Sequence, residues 1–154
     1  MAEPLELAYA AGIIDGEGTI GITELVPTEA VRRNGTRVRK SPQHRIYVAV
    51  SMTDATVPMW LHATFGGNIQ RVPARQAQHK PSVRWSLSSE RAARFCGVVA
   101  PYLRIKRTQA ELAISFYENH LRDGFHGSTG VPVDEIARRR AYVSQIKSLN
   151  QRGI

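Results

Sequence analysis

The sequence has almost no cysteine, no long apolar run and comparatively few acidic side chains. Cys96 is the only cysteine among 154 residues, which excludes an intrachain disulfide and a cysteine-rich zinc site. No apolar run approaches the about 20 residues that a membrane-spanning helix needs. Acids rather than basic residues precede the first apolar stretch, unlike a secretory signal. We therefore expect a soluble intracellular protein with no membrane partner.

The shortage of acids gives the chain a strongly basic balance. Its 13 Asp and Glu residues face 21 Lys and Arg residues, so the formal net charge is +8 and the pI is near 10.2. Such an excess is the electrostatic signature of a protein that binds a polyanion. The length and the 42% of hydrophobic residues fit one domain with a sizeable core. We predict a single domain over residues 1–154.

The segment at residues 8–22 changes from small helix-forming residues to acids separated by glycines. A proline suits the first turn of a helix, and the residues after it allow a helix over about 4–15. Gly16 and Gly18 weaken that helix and permit the left-handed or irregular backbone with which helices commonly end. The alternation that follows predicts a strand near 19–26.

Two acids lie where this helix ends. Asp15 and Glu17 are two positions apart, or about 200° around an ideal helix, so they are predicted to point to opposite sides and to have different roles. Both lie at the negative end of the helix dipole, where a carboxylate is disfavoured without a cation. A bound metal ion would resolve that conflict.

One face of the same helix is almost without side chains until it reaches an acid. Its members recur at i, i+3, i+4 and i+7, which is the spacing of one helix face. Two such faces can approach backbone to backbone. The residues of this face are Ala8, Ala11, Gly12 and Asp15.

The rest of the chain alternates pairs of strands with helices, which predicts an α+β domain. Ser, Thr or Asp residues precede the helices, and Gly or Pro follows them. The predicted elements are strands near 43–52, 68–73 and 82–88, and helices near 54–65, 88–100, 107–122 and 134–150.

The strands alternate apolar and polar residues, so one sheet face is predicted to meet the helices. The opposite face either meets solvent or contacts nucleic acid, and the positive charge favours nucleic acid. Side chains of these types distinguish base edges when a β-ribbon enters the major groove. The candidate base readers are Thr23, Gln43, Arg45, Tyr47, Asn68, Gln70, Ser82, Arg84 and Ser86.

Other basic residues and histidines allow two interpretations each. The hairpin loop at 27–42 is either a phosphate-contact loop or a solvated face, and the run at 138–140 has the same alternatives. His120 and His126 flank the loop that opens the C-terminal segment 123–154, without a coherent set of metal ligands, which favours surface or packing roles. The basic residues of the hairpin loop are Arg32, Arg33, Arg37, Arg39 and Lys40.

Residues 10–18, with the sequence AAGIIDGEG, resemble the nine-residue signature of the LAGLIDADG homing endonucleases. The resemblance implies a curved antiparallel sheet that binds DNA, with helices packed on its other face. Only one copy of the motif is present, so it also implies a homodimer whose first helices pack about a two-fold axis through the small-residue face. Its partner would be a long, pseudo-palindromic double-stranded DNA.

The resemblance places a divalent metal ion, Mg²⁺ or Mn²⁺, at Glu17, with the Gly16 carbonyl as a neighbouring ligand. Mg²⁺ prefers oxygen ligands and often takes one or two carboxylates together with phosphate oxygens. Many family members carry Asp at the position of Glu17, so the longer side chain is a departure that preserves the charge. By the same resemblance, Asp15 organises the end of the helix.

A second part of the implied site lies in the basic segment at 101–107. The resemblance places an active-site cation at Lys106, where it would order the attacking water or offset phosphate charge. Arg104 and Arg107 are rivals for that position, and a simple phosphate contact is the alternative role. Near the end of the second strand the family often has a polar side chain. Here that position is occupied by Met52, with Ser51 or Thr53 as substitutes.

Two functions follow from the resemblance. The leading one is a site-specific homing endonuclease that makes a staggered double-strand break by metal-dependent phosphodiester hydrolysis. The alternative is a noncatalytic nucleic-acid-binding relative, such as an intron RNA maturase or a DNA-binding regulator. Glu17 favours cleavage because it retains the acid that a metal needs.

Overall fold

The structure is a computed structural model that describes residues 2–25, 30–31, 34–35, 37–38, 41–123 and 130–151. It confirms the predicted α+β class, with helices packed on a four-stranded antiparallel sheet. No helix in the described part of the chain is both long and apolar enough to cross a membrane.

The main sheet has the strand order β1-β4-β6-β5, and a short ribbon of β2 and β3 lies between β1 and β4 in the chain. Each neighbouring pair is antiparallel, so β1 and β4 form the long hairpin predicted from the sequence. The strands are β1 (Gly18–Leu25), β2 (Ala30–Val31), β3 (Arg37–Val38), β4 (Gln43–Met52), β5 (Asn68–Val72) and β6 (Ser82–Ser88).

In the part of the chain that the structure describes, five α-helices pack on the apolar face of this sheet, and two short turns of other helix types extend them. A 3₁₀ turn follows α3, and a π turn follows α4. The helices are α1 (Pro4–Glu17), α2 (Thr56–Phe65), α3 (Ser89–Val99), α4 (Arg107–Phe116) and α5 (Val133–Asn150), with the 3₁₀ turn at Ala100–Tyr102 and the π turn at Tyr117–Leu121.

The core forms where alternate strand residues meet the helices. Ile46, Val48 and Val50 of β4 are fully buried, as the alternation predicts. Trp85 of β6 is also fully buried, and its indole N–H donates to the Gly66 carbonyl over 2.8 Å, which satisfies a polar group that burial would otherwise penalise. The helices therefore cover one sheet face and leave the other open.

The helix ends follow local sequence signals in most places. The backbone N–H of Thr56 donates to the Asp54 carboxylate over 2.9 Å as α2 begins. That helix ends at Gly66 and Gly67, whose φ values of 73° and 94° lie in the left-handed region that glycine tolerates. The predicted helix near 107–122 changes to π geometry in its last turn, which the sequence does not indicate.

Parts of two predicted loops lie outside the described residues. Arg32, Arg33, Arg39 and Lys40 are among them, so the phosphate-contact loop at 27–42 stays a prediction. His126 also lies outside the described residues.

Candidate active site and nucleic-acid interface

Helix α1 continues through both acids and passes directly into β1 at Gly18. The prediction that it ends near residue 15 in irregular glycines is therefore wrong. Neither Gly16 nor Gly18 has a positive φ. Gly18 is needed for space instead, because a Cβ there would lie 2.7 Å from the Cα of Ile14. The tight passage from helix to strand holds Glu17 at the helix tip.

The Asp15 carboxylate holds the segment before α4. Its two oxygens accept hydrogen bonds from the backbone N–H groups of Arg104 (2.9 Å), Ile105 (3.1 Å) and Lys106 (3.0 Å). These groups lie at the entry to α4, where helix N–H groups lack partners within the helix. Asp15 thus holds the segment that leads into α4, about 90 residues away in the sequence.

The Lys106 side chain completes this connection in the opposite direction. Its amino group donates to the carbonyl oxygens of Ile14 (2.7 Å), Asp15 (3.1 Å) and Gly18 (2.5 Å). Burial lowers the pKa of Lys106, while Asp15 and Glu17 act to raise it. The last turn of α1 has no basic residue of its own, so Lys106 supplies the cation that the helix end favours. We call this pair of contacts the Asp15–Lys106 clamp.

The clamp occupies the three donors of the Lys106 amino group. The predicted role of ordering an attacking water therefore competes with a structural one, and it stays a prediction. Arg107, one of its rivals, donates to the carbonyls of Ala100 (3.1 Å) and Pro101 (2.8 Å) and closes the 3₁₀ turn. Arg104 is exposed beside α1.

Glu17 differs from Asp15 in having no such partners. It is exposed, and no cationic side chain in the described part of the chain forms an ion pair with its carboxylate. The Gly16 carbonyl beside it is not among the acceptors that Lys106 uses. A free carboxylate and a backbone carbonyl at the negative end of a helix have the oxygen chemistry that Mg²⁺ prefers.

These two oxygen ligands would complete only part of the coordination of a divalent ion. Within the described residues, no group of three or more His, Cys, Asp and Glu side chains is arranged to hold a metal. One chain therefore offers a single carboxylate at this position. A stable site would need further oxygen ligands from DNA, water or a second chain.

A stripe of small and apolar residues runs along the exposed side of α1. Ala8, Gly12 and Gly16 are exposed, and a Cβ added at Gly12 or Gly16 would meet nothing within 4 Å. Leu5, which is 86% exposed, continues the stripe toward the start of the helix. Ala11 was predicted on this face, but it is fully buried in the core, so that part of the prediction is wrong.

The open sheet face collects all nine predicted base readers. The register pairs Thr23 with Arg45 and Gln70 with Arg84. Side chains alternate along each strand, so paired residues and every second neighbour share one face. The register of the four strands therefore puts all of the predicted readers on one face of the sheet. They are Thr23, Gln43, Arg45, Tyr47, Asn68, Gln70, Ser82, Arg84 and Ser86.

Known proteins resemble this chain in structure but not in sequence. No family model matches the sequence, and no curated protein matches it. Among solved structures, the chain is similar to the homing endonuclease I-CvuI in complex with the I-CreI target, with a TM-score of 0.70 and 18% identity over 97% of this chain and 84% of that one. It is also similar to the archaeal intron-encoded homing endonuclease I-Vdi141I complexed with DNA, with a TM-score of 0.70 and 14% identity over 99% and 89%.

A third structure is the I-SmaMI LAGLIDADG homing endonuclease bound to cleaved DNA. Its TM-score is 0.59, with 13% identity over 90% of this chain and 42% of that chain. This chain has the LAGLIDADG endonuclease fold. It spans most of the length of I-CvuI and I-Vdi141I and less than half of the length of I-SmaMI.

In this LAGLIDADG fold, the end of β4 differs from the predicted arrangement. Met52 was predicted to replace a polar side chain near the site, but it packs partly buried against the core. Ser51 is exposed and pairs with Arg84, on the face of the base readers. A polar group from this strand therefore reaches the open face through Ser51.

A groove that the sequence reasoning missed lies at the end of the β5–β6 hairpin. It has a volume of about 310 Å³ and is lined by Arg75, His79 and Lys80 together with the predicted readers Ser82 and Arg84. Cations beside base readers are suited to phosphate contacts. The signal in the sequence was Arg75 and Lys80, which lie in a loop between Pro73 and Pro81.

The basic run at 138–140 has a packing role. Arg139 is buried and donates to Glu135 over 3.2 Å, and Arg140 donates to Glu24 of β1 over 2.8 Å. Arg138 is exposed and also donates to Glu135. The run ties α5 to β1 and to its own first turn, and the burial of Arg139 departs from both predicted alternatives, a phosphate contact and a solvated face.

His120 belongs to the same network. It forms a 2.7 Å hydrogen bond with Glu135, and its carbonyl accepts from Arg139. Burial raises the pKa of Glu135, but the hydrogen bonds from His120, Arg139 and Arg138 outweigh burial and lower the pKa to about 2. His120 therefore packs in an ion-pair network, as the sequence interpretation favoured.

Proposed function

We propose that this chain is a metal-dependent endonuclease that cuts both strands of a long, roughly palindromic DNA. The observation that carries the proposal is the exposed carboxylate of Glu17, which forms no ion pair with any described residue and lies at the tip of α1 where β1 of the reader sheet begins. Glu17 thus lies between the exposed stripe of α1 and the first strand of the reader sheet. The solved structures with this fold include endonucleases bound to DNA, which supports the same assignment here.

A homodimer fits this arrangement because the described part of one chain supplies only one carboxylate at this position. The stripe at Ala8, Gly12 and Gly16 lets two α1 helices approach closely, which would bring two Glu17 side chains to the same region. Each subunit would then serve one DNA strand. The staggered break and the homing role in a mobile intron are part of this proposal.

Glu17 and the Gly16 carbonyl would hold a Mg²⁺ or Mn²⁺ ion together with phosphate oxygens. When bound, such an ion polarises the phosphoryl oxygen and lowers the pKa of bound water. The Asp15–Lys106 clamp keeps the last turn of α1 rigid and leaves the Gly16 carbonyl available. Arg45, Arg84 and the other readers would bind base edges and set the target.

The test begins with a randomised duplex library, from which bound DNA is selected and then exposed to Mg²⁺ or EDTA. We expect wild-type protein to cut selected duplexes with Mg²⁺ alone, and Glu17→Gln to bind them without cutting. A folded dimer that binds a selected duplex but never cuts it would overturn the endonuclease assignment. Specific intron RNA binding in its place would identify a maturase.

The dimer is tested separately with Gly12→Arg. A side chain at Gly12 meets nothing within 4 Å in one chain, so the variant should fold. We expect it to sediment as a monomer and to lose double-strand cleavage. A Gly12→Arg protein that stays dimeric would place the interface elsewhere.

A further inference from the structure

The open sheet face holds one close contact that polar readers do not explain. Gly21 of β1 pairs with Tyr47 of β4, and both lie on the face of the base readers. A Cβ built on Gly21 would lie 2.5 Å from Cζ, 2.5 Å from Oη and 2.6 Å from Cε1 of Tyr47. The outer half of the ring therefore occupies the place where a side chain at position 21 would stand.

Because Gly21 has no side chain, the Tyr47 ring can lie over it. The ring leans across β1 instead of standing up from the sheet, and it covers Gly21, which is buried, while Tyr47 itself stays partly exposed. The backbone of Gly21 needs no left-handed conformation. The glycine leaves the space that the ring occupies, and a side chain at position 21 would displace the outer end of the ring.

The leaning ring puts aromatic carbon atoms between two other pairs on the same face. Thr23 and Arg45 form the next pair on the same face, and Thr19 and Ala49 form the pair on the other side. In the major groove, polar side chains read donors and acceptors, whereas an apolar surface distinguishes thymine by its methyl group. The ring carbons that lie over Gly21 are suited to contact with a methyl group.

Resting on the proposed DNA-binding function, we propose that Tyr47 selects a thymine by contact with its methyl group, and that Gly21 is the positioning residue that makes this contact possible. Consecutive residues on one face of a strand are about 6.6 Å apart, which matches about two base-pair steps of 3.4 Å. The selected thymine should therefore lie about two steps from the base pair read by Arg45.

The experiment compares the DNA sequences that different variants select from a randomised duplex library. Every variant also carries Glu17→Gln, and the selection is made in EDTA so that the DNA stays intact. Tyr47→Ala should lose one thymine preference, and Tyr47→Phe should keep it because the ring remains. Gly21→Ala should lose the same preference, since the added methyl displaces the ring. The double variant Gly21→Ala with Tyr47→Ala should lose nothing more than Tyr47→Ala alone.

Arg45→Ala is the matched control on the neighbouring pair. Arg45→Ala should change the base preference at a different position, about two base pairs away, and should keep the preference for thymine. A second measurement replaces that thymine by deoxyuridine, which removes only the methyl group. With the change made in one half-site, binding by the parent protein should weaken about fourfold, the effect of one buried methyl, and binding by Gly21→Ala should not change.

The outcomes separate the inference from the function on which it rests. If the parent protein selects a sequence and Gly21→Ala or Tyr47→Ala keeps the same thymine, the inference is overturned while DNA reading stands. Equal binding of thymine and deoxyuridine duplexes by the parent protein would also overturn it. If the parent protein selects no sequence at all, the proposed function is overturned and the inference with it.

Discussion

Asp15 and Glu17 allow a matched test of how the two acids divide their roles. Each can be changed to its amide, which removes one charge at the same helix end with almost no change in size. Asp15 accepts three backbone hydrogen bonds, and Glu17 forms no ion pair in the described part of the chain. Asp15→Asn should therefore lower the free energy of unfolding, and Glu17→Gln should not.

The expected size for Asp15→Asn comes from its contacts. The Oδ1 atom accepts from Ile105 and Lys106, so an amide oxygen can keep these two bonds in a weaker, uncharged form. The amide nitrogen would face the N–H of Arg104, which would lose its acceptor. Hydrogen bonds to charged groups contribute about 1.5–3 kcal/mol and neutral ones about 1 kcal/mol. We expect Asp15→Asn to lower the free energy of unfolding by about 2–4 kcal/mol.

Glu17→Gln removes a carboxylate from the negative end of α1 without breaking a bond. It should leave the free energy of unfolding unchanged or raise it by about 0.3–1 kcal/mol. The two changes in the free energy of unfolding can be measured by urea unfolding followed by far-UV circular dichroism. The protein concentration is kept fixed because the stability of a dimer depends on it. An Asp15→Asn variant as stable as wild type, or a Glu17→Gln variant as unstable as Asp15→Asn, would refute the division of roles.

Three further variants test the surrounding structure. Lys106→Met should lower the free energy of unfolding by about 1–2 kcal/mol, because three carbonyls lose a charged donor; an unchanged urea midpoint would contradict the clamp. Gly18→Ala should lower it by about 1–3 kcal/mol because its Cβ meets Ile14 backbone, whereas the matched Gly97→Ala, with open space in α3, should not. The lowered pKa of Glu135 contributes about 3 kcal/mol above pH 4.5, which is lost as the pH falls toward 2. Glu135→Gln should flatten stability against pH in that window, and an unaltered acid titration would contradict the network.

The sequence alone was sufficient for the parts of the fold that local pattern controls. The alternation in β4 and β6 predicted both strands with their observed limits at 43–52 and 82–88. Gly66 and Gly67 marked the end of α2 because their left-handed φ values are a local requirement. The shared face of the readers followed from the same alternation once the register was known.

Long-range contacts explain what the sequence did not reveal. α1 passes through Gly16 to Glu17, and the Asp15–Lys106 clamp, which joins residues about 90 positions apart, holds that turn. Ala11 lies on the predicted small-residue face, yet it packs into the core because α1 contacts other elements on more than one side. Neither contact leaves a periodic signal in the chain.

The pairing of Gly21 with Tyr47 is a further case. A glycine in a strand indicates a close approach but does not identify the approaching group. Only the register of β1 and β4 shows that Tyr47 fills the space above it.

We propose that Glu17 serves cleavage and not folding or DNA binding. The most direct measurement compares wild-type and Glu17→Gln protein on one selected duplex, with affinity measured in EDTA and strand cleavage measured after addition of Mg²⁺. We predict equal affinity within about twofold, cleavage of both strands by wild type, and no cleavage by Glu17→Gln. Cleavage by Glu17→Gln at the wild-type rate would contradict the account.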